Sequence, residues 1–120
     1  MADRKGAQYR LRSHLDFAHV YRPRQSIRNR SLTLCFLKSR HGFSRLGLSV
    51  SKRMGNAVHR NRIKRILREA FRQECAGIAE PYDIVLIPRS FETGSNLEVM
   101  VASLRHLIRK LNDIAKEPSS

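Results

Sequence analysis

The side chains of this chain with the clearest chemistry are cations, and they are concentrated in one segment. Residues 52–72 contain eight Lys and Arg side chains and one acid, Glu69. Most of these cations are arginines, whose planar guanidinium group binds phosphate oxygens through two parallel hydrogen bonds. Charged helices without a special partner usually mix both signs, which allows pairing between successive turns. The imbalance therefore indicates a polyanionic partner, and we expect that partner to be RNA.

The sequence offers no comparable set of catalytic groups. A protein nuclease would need paired histidines, or carboxylates clustered around a metal ion. The ten acids are scattered without a D-x-D or E-x-x-H arrangement, and the five histidines have no Cys or carboxylate at ligand spacing. His59 stands beside Arg60, where we expect it to add to binding. We predict no active site in the protein itself, and no metal ion or other cofactor bound by it.

The composition indicates one folded domain with a large positive charge. The 120 residues are 41% hydrophobic and carry a formal net charge of +14, which suits a single core. We expect one domain over residues 1–120, with an ordered core over about 9–113 and loose ends. No apolar run approaches the roughly 20 residues of a membrane-spanning helix, and the N-terminus is not a secretory signal. Cys35 and Cys75 form no C-x-x-C pair, so we expect a cytoplasmic protein with reduced thiols.

Apolar residues inside the cationic segment predict a helix. They recur at the three- and four-residue spacing of one buried stripe: Ile63, Ile66, Leu67, Ala70 and Phe71. A second set falls together on a different face and is called here the cationic ridge: Asn61, Lys64, Arg65, Arg68 and Arg72. Asn56 is a good N-cap, and Gly55 permits a positive φ or a close approach of phosphate. The helix should therefore begin just after Asn56.

Elements on either side of this helix complete the predicted fold. A capping box at Ser13 predicts a short N-terminal helix to about Tyr21, and a second one at Ser95 begins a final helix. The apolar stripe of that final helix should be Leu97, Val101, Leu104, Ile108 and Leu111. Strands are predicted over residues 31–37, 45–51 and 82–88. The result is an α/β (α+β) two-layer sandwich of three helices on a sheet of about four strands, in the order helix, strands, helix, strand, helix.

Two features predict a groove for a single strand of nucleic acid. In residues 45–51 the apolar side chains alternate with Gly47, Ser49 and Ser51, so one face of the strand is flat enough for something to lie against it. Phe17 and Tyr21, one helical turn apart, could stack on unpaired bases, as aromatic side chains do with little sequence preference. Core packing of a short amphipathic helix is the simpler explanation for these two aromatics taken alone.

Residues 47–72, GLSVSKRMGNAVHRNRIKRILREAFR, closely resemble the signature of the protein subunit of bacterial ribonuclease P, with Arg60-Asn61-Arg62 at its centre. The similarity extends over about residues 9–111. The resemblance implies a small α/β sandwich in which the motif helix joins two parallel strands by a left-handed crossover. It also implies endonucleolytic removal of the 5′ leader from precursor tRNA. In the family a large RNA subunit performs this chemistry with Mg²⁺, and the protein assists substrate binding and metal affinity.

The resemblance also implies two sets of binding residues. Contacts with the catalytic RNA are expected from Lys52, Arg53, Asn56, Arg60, Asn61, Arg62 and Arg65. The single-stranded leader is expected in a cleft between the N-terminal helix and the sheet, near Phe17, Tyr21, Cys35, Lys64 and Arg68. Relatives often carry an aromatic residue at the position of Cys35. Phe36 has the opposite parity and should face the core unless the register slips by one residue, so base stacking at this point stays open.

Two other functions fit the charge of the chain. A structural RNA-binding protein of the ribosomal type would share the basic helix, yet it would need no groove for a free strand and would have no role in processing. A DNA-binding protein would bind duplex DNA equally well. The resemblance favours the ribonuclease P subunit, with no DNA or membrane partner.

Overall fold

The computed structural model of the protein describes residues 25–40, 42–89 and 96–116. In these ranges the chain forms β1 (Ser26–Arg28), β2 (Leu32–Lys38), β3 (Arg45–Leu48), α1 (Ala57–Glu74), β4 (Tyr82–Pro88) and α2 (Leu97–Lys116). Short 3-10 turns occupy Lys52–Met54 and Cys75–Gly77. From the first strand onward, the order of helices and strands agrees with the order predicted from the sequence. The predicted N-terminal helix, with Phe17 and Tyr21, lies outside the described residues, which contain two of the three predicted helices.

The four strands form one mixed sheet in the order β1-β2-β4-β3. β2 pairs antiparallel with β1 and β4, whereas β3 and β4 are parallel neighbours joined through α1. The predicted four-stranded mixed sheet and the crossover through the motif helix are thus confirmed, and the handedness of the crossover stays an expectation from the resemblance. Because β3 and β4 are parallel, both finish at the end of the sheet where α1 begins. We call this the motif end, and the β1–β2 turn lies there too.

Alternating side chains of the sheet pack under both helices and form the core. On β2 and β4 the fully buried members are Leu32, Leu34, Ile84 and Leu86. Phe36 belongs to the same core and lies edge-on to Tyr82, with ring centroids 5.6 Å apart. The prediction that Phe36 faces the core is therefore confirmed. Cys35 lies on the opposite side of the sheet, which we call the Cys35 face.

Helix α1 buries the predicted stripe, and α2 buries a slightly different one. Ile63, Leu67, Ala70 and Phe71 are buried on α1, with Ile66 packed at the edge of the core. On α2 the buried residues are Met100, Leu104, Leu107, Ile108 and Leu111. The predicted members Leu97 and Val101 are only partly buried at the edge of the core, whereas Met100 and Leu107, which were not predicted, are fully buried.

Two further details differ from the sequence-based prediction. The cap of α2 is Asn96, whose Oδ1 accepts a hydrogen bond from the Val99 amide at 3.1 Å, so the helix starts one residue later than a Ser95 cap implies. The strand predicted over residues 45–51 ends at Leu48, although the Ser49 amide still donates to the Leu86 carbonyl at 3.0 Å. Neither helix of the described ranges is long and apolar enough to cross a bilayer.

Candidate RNA-binding site

The start of α1 is fixed by contacts among four residues of the motif. Gly55 has a φ of +133°, and a Cβ at this position would come within 2.7 Å of the His59 ring. The Asn56 side chain accepts a hydrogen bond from the His59 amide at 2.9 Å, which confirms the predicted N-cap. Arg60 Nε donates to the Gly55 carbonyl at 3.2 Å. The last contact holds the Arg60 side chain beside a helix N-terminus, whose amides carry a partial positive charge.

The cationic ridge divides into two surfaces. Asn61, Arg65 and Arg72 are exposed on the outer side of α1, whereas Lys64 and Arg68 are half-buried. The reason is geometric: at roughly 100° per residue, Lys64 and Arg68 lie beside the buried stripe and not opposite it. Of the residues expected to contact the catalytic RNA, only Arg60 is half-buried, and the others are exposed: Lys52, Arg53, Asn56, Asn61, Arg62 and Arg65.

Arg72 has a local partner that reduces its contribution to the ridge. Its Nε donates to Glu69 Oε1 at 2.9 Å, and a second bond joins Arg72 Nη2 to the other carboxylate oxygen. The hydrogen bond from Arg72, followed by one from Gln73, lowers the pKa of Glu69 to about 2. The single acid of the motif is therefore ionised at neutral pH and offsets the charge of Arg72. The three-residue spacing of this pair was visible in the sequence.

The side chains at the middle of the Cys35 face are small and apolar. Cys35 pairs with Val85 on β4, which pairs with Gly47 on β3. Cys35 is 8% exposed, and this burial raises the pKa of its thiol. Gly47 is buried as well. The predicted flatness of this side of β3 is thus continued across β4 to β2 by short side chains.

A buried ion pair lies at one end of the same face, where β3 and β4 begin. Arg45 Nε and Nη2 donate to the two carboxylate oxygens of Asp83 at 2.9 and 2.7 Å. The Asp83 side chain is only 2% exposed and that of Arg45 is 15% exposed. Sequence reasoning missed this pair. The signal for it was an acid inside the apolar run of residues 82–88, because a buried carboxylate requires a cationic partner.

The acids of the described residues collect away from the motif end. Glu69 and Glu74 lie in the last turns of α1, and Glu80 and Asp83 lie at the start of β4. Each has a cationic partner, respectively Arg72, Arg105, Lys38 and Arg45. At the motif end, in contrast, the described ranges contain one acid, Glu98, and these cations: Arg28, Arg30, Lys52, Arg53, Arg60 and Arg89. The motif end therefore carries a concentrated positive charge.

Comparisons with known proteins agree with this geometry. The sequence profile of the family described as Ribonuclease P matches residues 6–112. The chain belongs to the ribonuclease P protein family. It is similar to the ribonuclease P protein component of Alkaliphilus oremlandii, with 34% identity over 103 residues that cover 86% of this chain and 90% of that protein. The corresponding component of an Exiguobacterium species is 39% identical over 103 residues, covering 86% and 90% of the two chains.

Solved structures of the family share the fold. The ribonuclease P protein of Staphylococcus aureus superposes with a TM-score of 0.74 at 35% identity, covering 90% of this chain and 95% of that one. The protein from Thermotoga maritima gives a TM-score of 0.76 at 33% identity, covering 84% and 96%. As a ribonuclease P protein component, the chain is part of an endoribonuclease complex of tRNA processing. Membership implies the ribonuclease P RNA as its partner.

Proposed function

We propose that this protein assists the catalytic RNA of ribonuclease P in removing the 5′ leader from precursor tRNA. Helix α1 and the turn before it bind the RNA subunit, and the Cys35 face binds the single-stranded leader. The protein thereby raises the affinity of the complex for its substrate and for Mg²⁺, while the RNA carries the catalysis in the cytoplasm. The observation that carries the proposal is the division of the cations of α1 into two surfaces. The outer surface holds the exposed Arg62, Arg65 and Arg72, and the boundary surface holds the half-buried Lys64 and Arg68.

The outer surface suits a structured RNA. Its exposed arginines follow successive turns of a rigid helix, with Arg62 and Arg65 near the middle of the motif. Rigid spacing matches the repeated phosphates of a folded backbone, and such contacts need no base sequence. Neutralising each phosphate should contribute about −0.9 to the slope of log K against log salt on duplex-like RNA.

The boundary surface suits the leader. Lys64 and Arg68 are half-buried at the side of the stripe by which α1 packs on the sheet. The short side chains of Cys35 and Gly47 leave the Cys35 face shallow, which suits a strand with little sequence preference. In the proposal Phe17 and Tyr21 add base stacking from the predicted N-terminal helix. Cys35 adds apolar contact only, since a thiol offers no ring for a base to stack on.

Four carboxylates of the described residues are poor candidates for a magnesium site on the protein. Mg²⁺ prefers oxygen ligands in octahedral geometry, usually from carboxylates and waters. Glu69, Glu74, Glu80 and Asp83 are each committed to a cation, and the described ranges contain no group of three potential metal ligands. In line with what the resemblance implies, the proposal assigns Mg²⁺ to the RNA subunit, and the protein acts by holding the substrate phosphates in place.

The first experiment compares cleavage of a 5′-extended precursor tRNA by bacterial ribonuclease P RNA at low magnesium, with and without this protein. We expect cleavage to require the protein and the protein alone to be inert. Cleavage by the protein alone would reveal an active site of its own. If the protein never stimulates the RNA, it serves as an RNA-binding module of another particle, which is the ribosomal-type alternative.

A second experiment tests the leader groove. The double substitution Phe17→Ala with Tyr21→Ala should weaken binding of precursor tRNA and hardly change binding of mature tRNA, because base stacking contributes about 1–3 kcal/mol per base. Arg62→Ala is the matched comparison. It should weaken assembly of the protein with the RNA subunit, and this effect should be the same whether precursor or mature tRNA is the ligand. Equal loss for precursor and mature tRNA in the aromatic double variant would reject the groove.

A further inference from the structure

A rigid turn at the motif end lies on the opposite edge of the sheet from α1. Asn29 Oδ1 accepts hydrogen bonds from the amides of Ser31 and Leu32, each at 3.0 Å. Its side-chain Nδ2 donates to the Ser103 carbonyl of α2 at 3.0 Å, and Arg89 Nη1 donates to the Asn29 carbonyl at 2.8 Å. The β1–β2 turn is therefore fixed to both α2 and the end of β4.

This turn presents two exposed arginines. Arg28 and Arg30 are the chain neighbours of Asn29, and neither has an ion-pair partner among the acids of the described residues. Arg28 pairs with Thr33 across the β1–β2 ladder, so its side chain shares the Cys35 face. Arg30 stands at the tip of the turn. We call these two residues the turn arginines.

The topology puts the turn arginines and helix α1 toward opposite edges of the sheet, whose strand order is β1-β2-β4-β3. Helix α1 joins β3 to β4, whereas α2 contacts β1 and β2. Neighbouring strands are about 4.8 Å apart, so a chain that crosses the four strands travels roughly 14 Å. A leader that enters at the edge beside α1 therefore crosses the sheet within a few nucleotides and leaves over β1.

We propose that the turn arginines bind backbone phosphates of the leader upstream of the segment that lies on the Cys35 face. The site rests on the proposed function, because it extends the same groove. The pinned turn fixes the backbone from which both guanidinium groups extend, which reduces the ordering that a phosphate contact requires. The site recognises backbone and not bases, so it should favour long leaders of any sequence.

The test uses the assembled holoenzyme and precursor tRNAs with leaders of about two and about ten nucleotides, which lie on either side of the smallest single-strand footprint of a small domain. For the double substitution Arg28→Ala with Arg30→Ala, we expect several-fold weaker binding of the long-leader precursor and unchanged binding of the short-leader one. The slope of log K against log salt for the long leader should become shallower by about 1.4, for two lost phosphate contacts.

Two controls make the result specific. Lys38→Ala with Arg40→Ala removes the same charge from the other end of β2 and should leave the leader-length dependence intact. Arg28→Lys with Arg30→Lys keeps the charge and should retain most of the affinity, which separates loss of contact from misfolding. All proteins are compared by thermal unfolding first, and we expect equal stability because the turn arginines are exposed.

Each other outcome overturns the inference in a distinguishable way. Equal weakening for short and long leaders means that the turn binds the RNA subunit or the tRNA body. No weakening for either means that the turn binds no RNA. If the unaltered holoenzyme gains nothing from the longer leader, the leader groove of the proposed function fails, and the turn site fails with it.

Discussion

At the scale of single residues, Asn56 caps α1 and is also proposed to contact RNA, and an ordinary substitution would confuse these two effects. Its side-chain oxygen caps α1 through the His59 amide, and its amide group is expected to contact the catalytic RNA. An alanine substitution removes both functions at once. Because Asp and Ser also cap helices well, the two roles can be separated by choice of residue.

Three substitutions at this position should give three different results. Asn56→Ala should cost about 0.5–2 kcal/mol of stability through the lost cap. Asn56→Ser should keep most of the stability and of the RNA affinity. Asn56→Asp should keep the stability but weaken binding of the RNA subunit, since it brings a negative charge to the interface. Thermal unfolding and RNA titration measure the two effects, and unchanged affinity for the Asp variant would place Asn56 outside the interface.

Side-chain parity shows how much sequence reasoning can establish at this scale. The alternation along β2 correctly placed Phe36 in the core and Cys35 on the other face, because a period of two leaves only two possible registers. The same reasoning could not show how deeply the residues of the Cys35 face are buried. That depends on long-range packing, which no local pattern contains.

At the scale of secondary-structure elements, the Arg45–Asp83 pair fixes β3 to β4. The two residues are direct partners in the parallel ladder, and their bidentate contact is mostly shielded from water. Sequence patterns located both strands but not their adjacency. The three-residue strand β1 was also missed as an element, because a single β-branched residue, Ile27, between Ser26 and Arg28 is too short a pattern to indicate a strand.

Removing one member of this ion pair should lower the free energy of unfolding far more than replacing both members with apolar residues. Arg45→Ala leaves the Asp83 carboxylate buried without its bidentate partner and should cost about 3–5 kcal/mol. Arg45→Met combined with Asp83→Leu should recover much of that loss, because a buried ion pair is often replaceable by apolar side chains of similar volume. Urea unfolding of the single and double variants measures this. Equal stability of the single and double variants would show that the Asp83 carboxylate costs little when it is buried without Arg45.

The two helices are joined at the surface by Glu74 and Arg105. The hydrogen bond from Arg105 lowers the pKa of Glu74 below its ordinary value of 4.5. A carboxyl with a lowered pKa in the folded state stabilises the fold above its unfolded pKa and loses that contribution as pH falls through the folded value. Part of the acid sensitivity of this protein should therefore come from this contact.

Arg105→Ala tests that origin. At pH 7 the expected cost is under about 1 kcal/mol, because the Arg105 side chain is 54% exposed and water screens the pair. Below about pH 4.5 the difference between variant and unaltered protein should shrink, as Glu74 becomes protonated in both. Urea unfolding over a pH series measures the difference, with Arg109→Ala as a control of equal charge on the same helix. A difference that stays constant with pH would indicate packing by the Arg105 stem instead.

At the scale of the whole molecule, the positions of the acids decide which cations are available for RNA. The sequence shows the excess of positive charge and the motif, but the sorting of acids away from the motif end appears only in the fold. It follows from the parallel β3–α1–β4 crossover, which brings the start of α1 and the ends of β3 and β4 together. Charges that are distant in sequence thus become one surface.

Arg65 and Arg72 allow a matched test of this sorting, because both are exposed on α1 two turns apart. Arg65→Ala should weaken binding of the ribonuclease P RNA and make the slope of log K against log salt shallower by about 0.9. Arg72→Ala should change the slope much less, since Glu69 already offsets its charge. RNA titrations at several salt concentrations compare the two. Equal changes would show that the Glu69 pair opens on binding.

The sorting of acids also has a kinetic consequence. Positive charge concentrated at one end and ion pairs at the other give the protein an electric dipole, and the field of a polyanion exerts a torque on it. The protein should rotate during diffusion, so that α1 leads as it meets the RNA. Such steering can raise association rates by about 10–10³-fold and fades as salt screens the field. The ion pairs far from the interface would thus influence how fast the complex forms without touching the RNA.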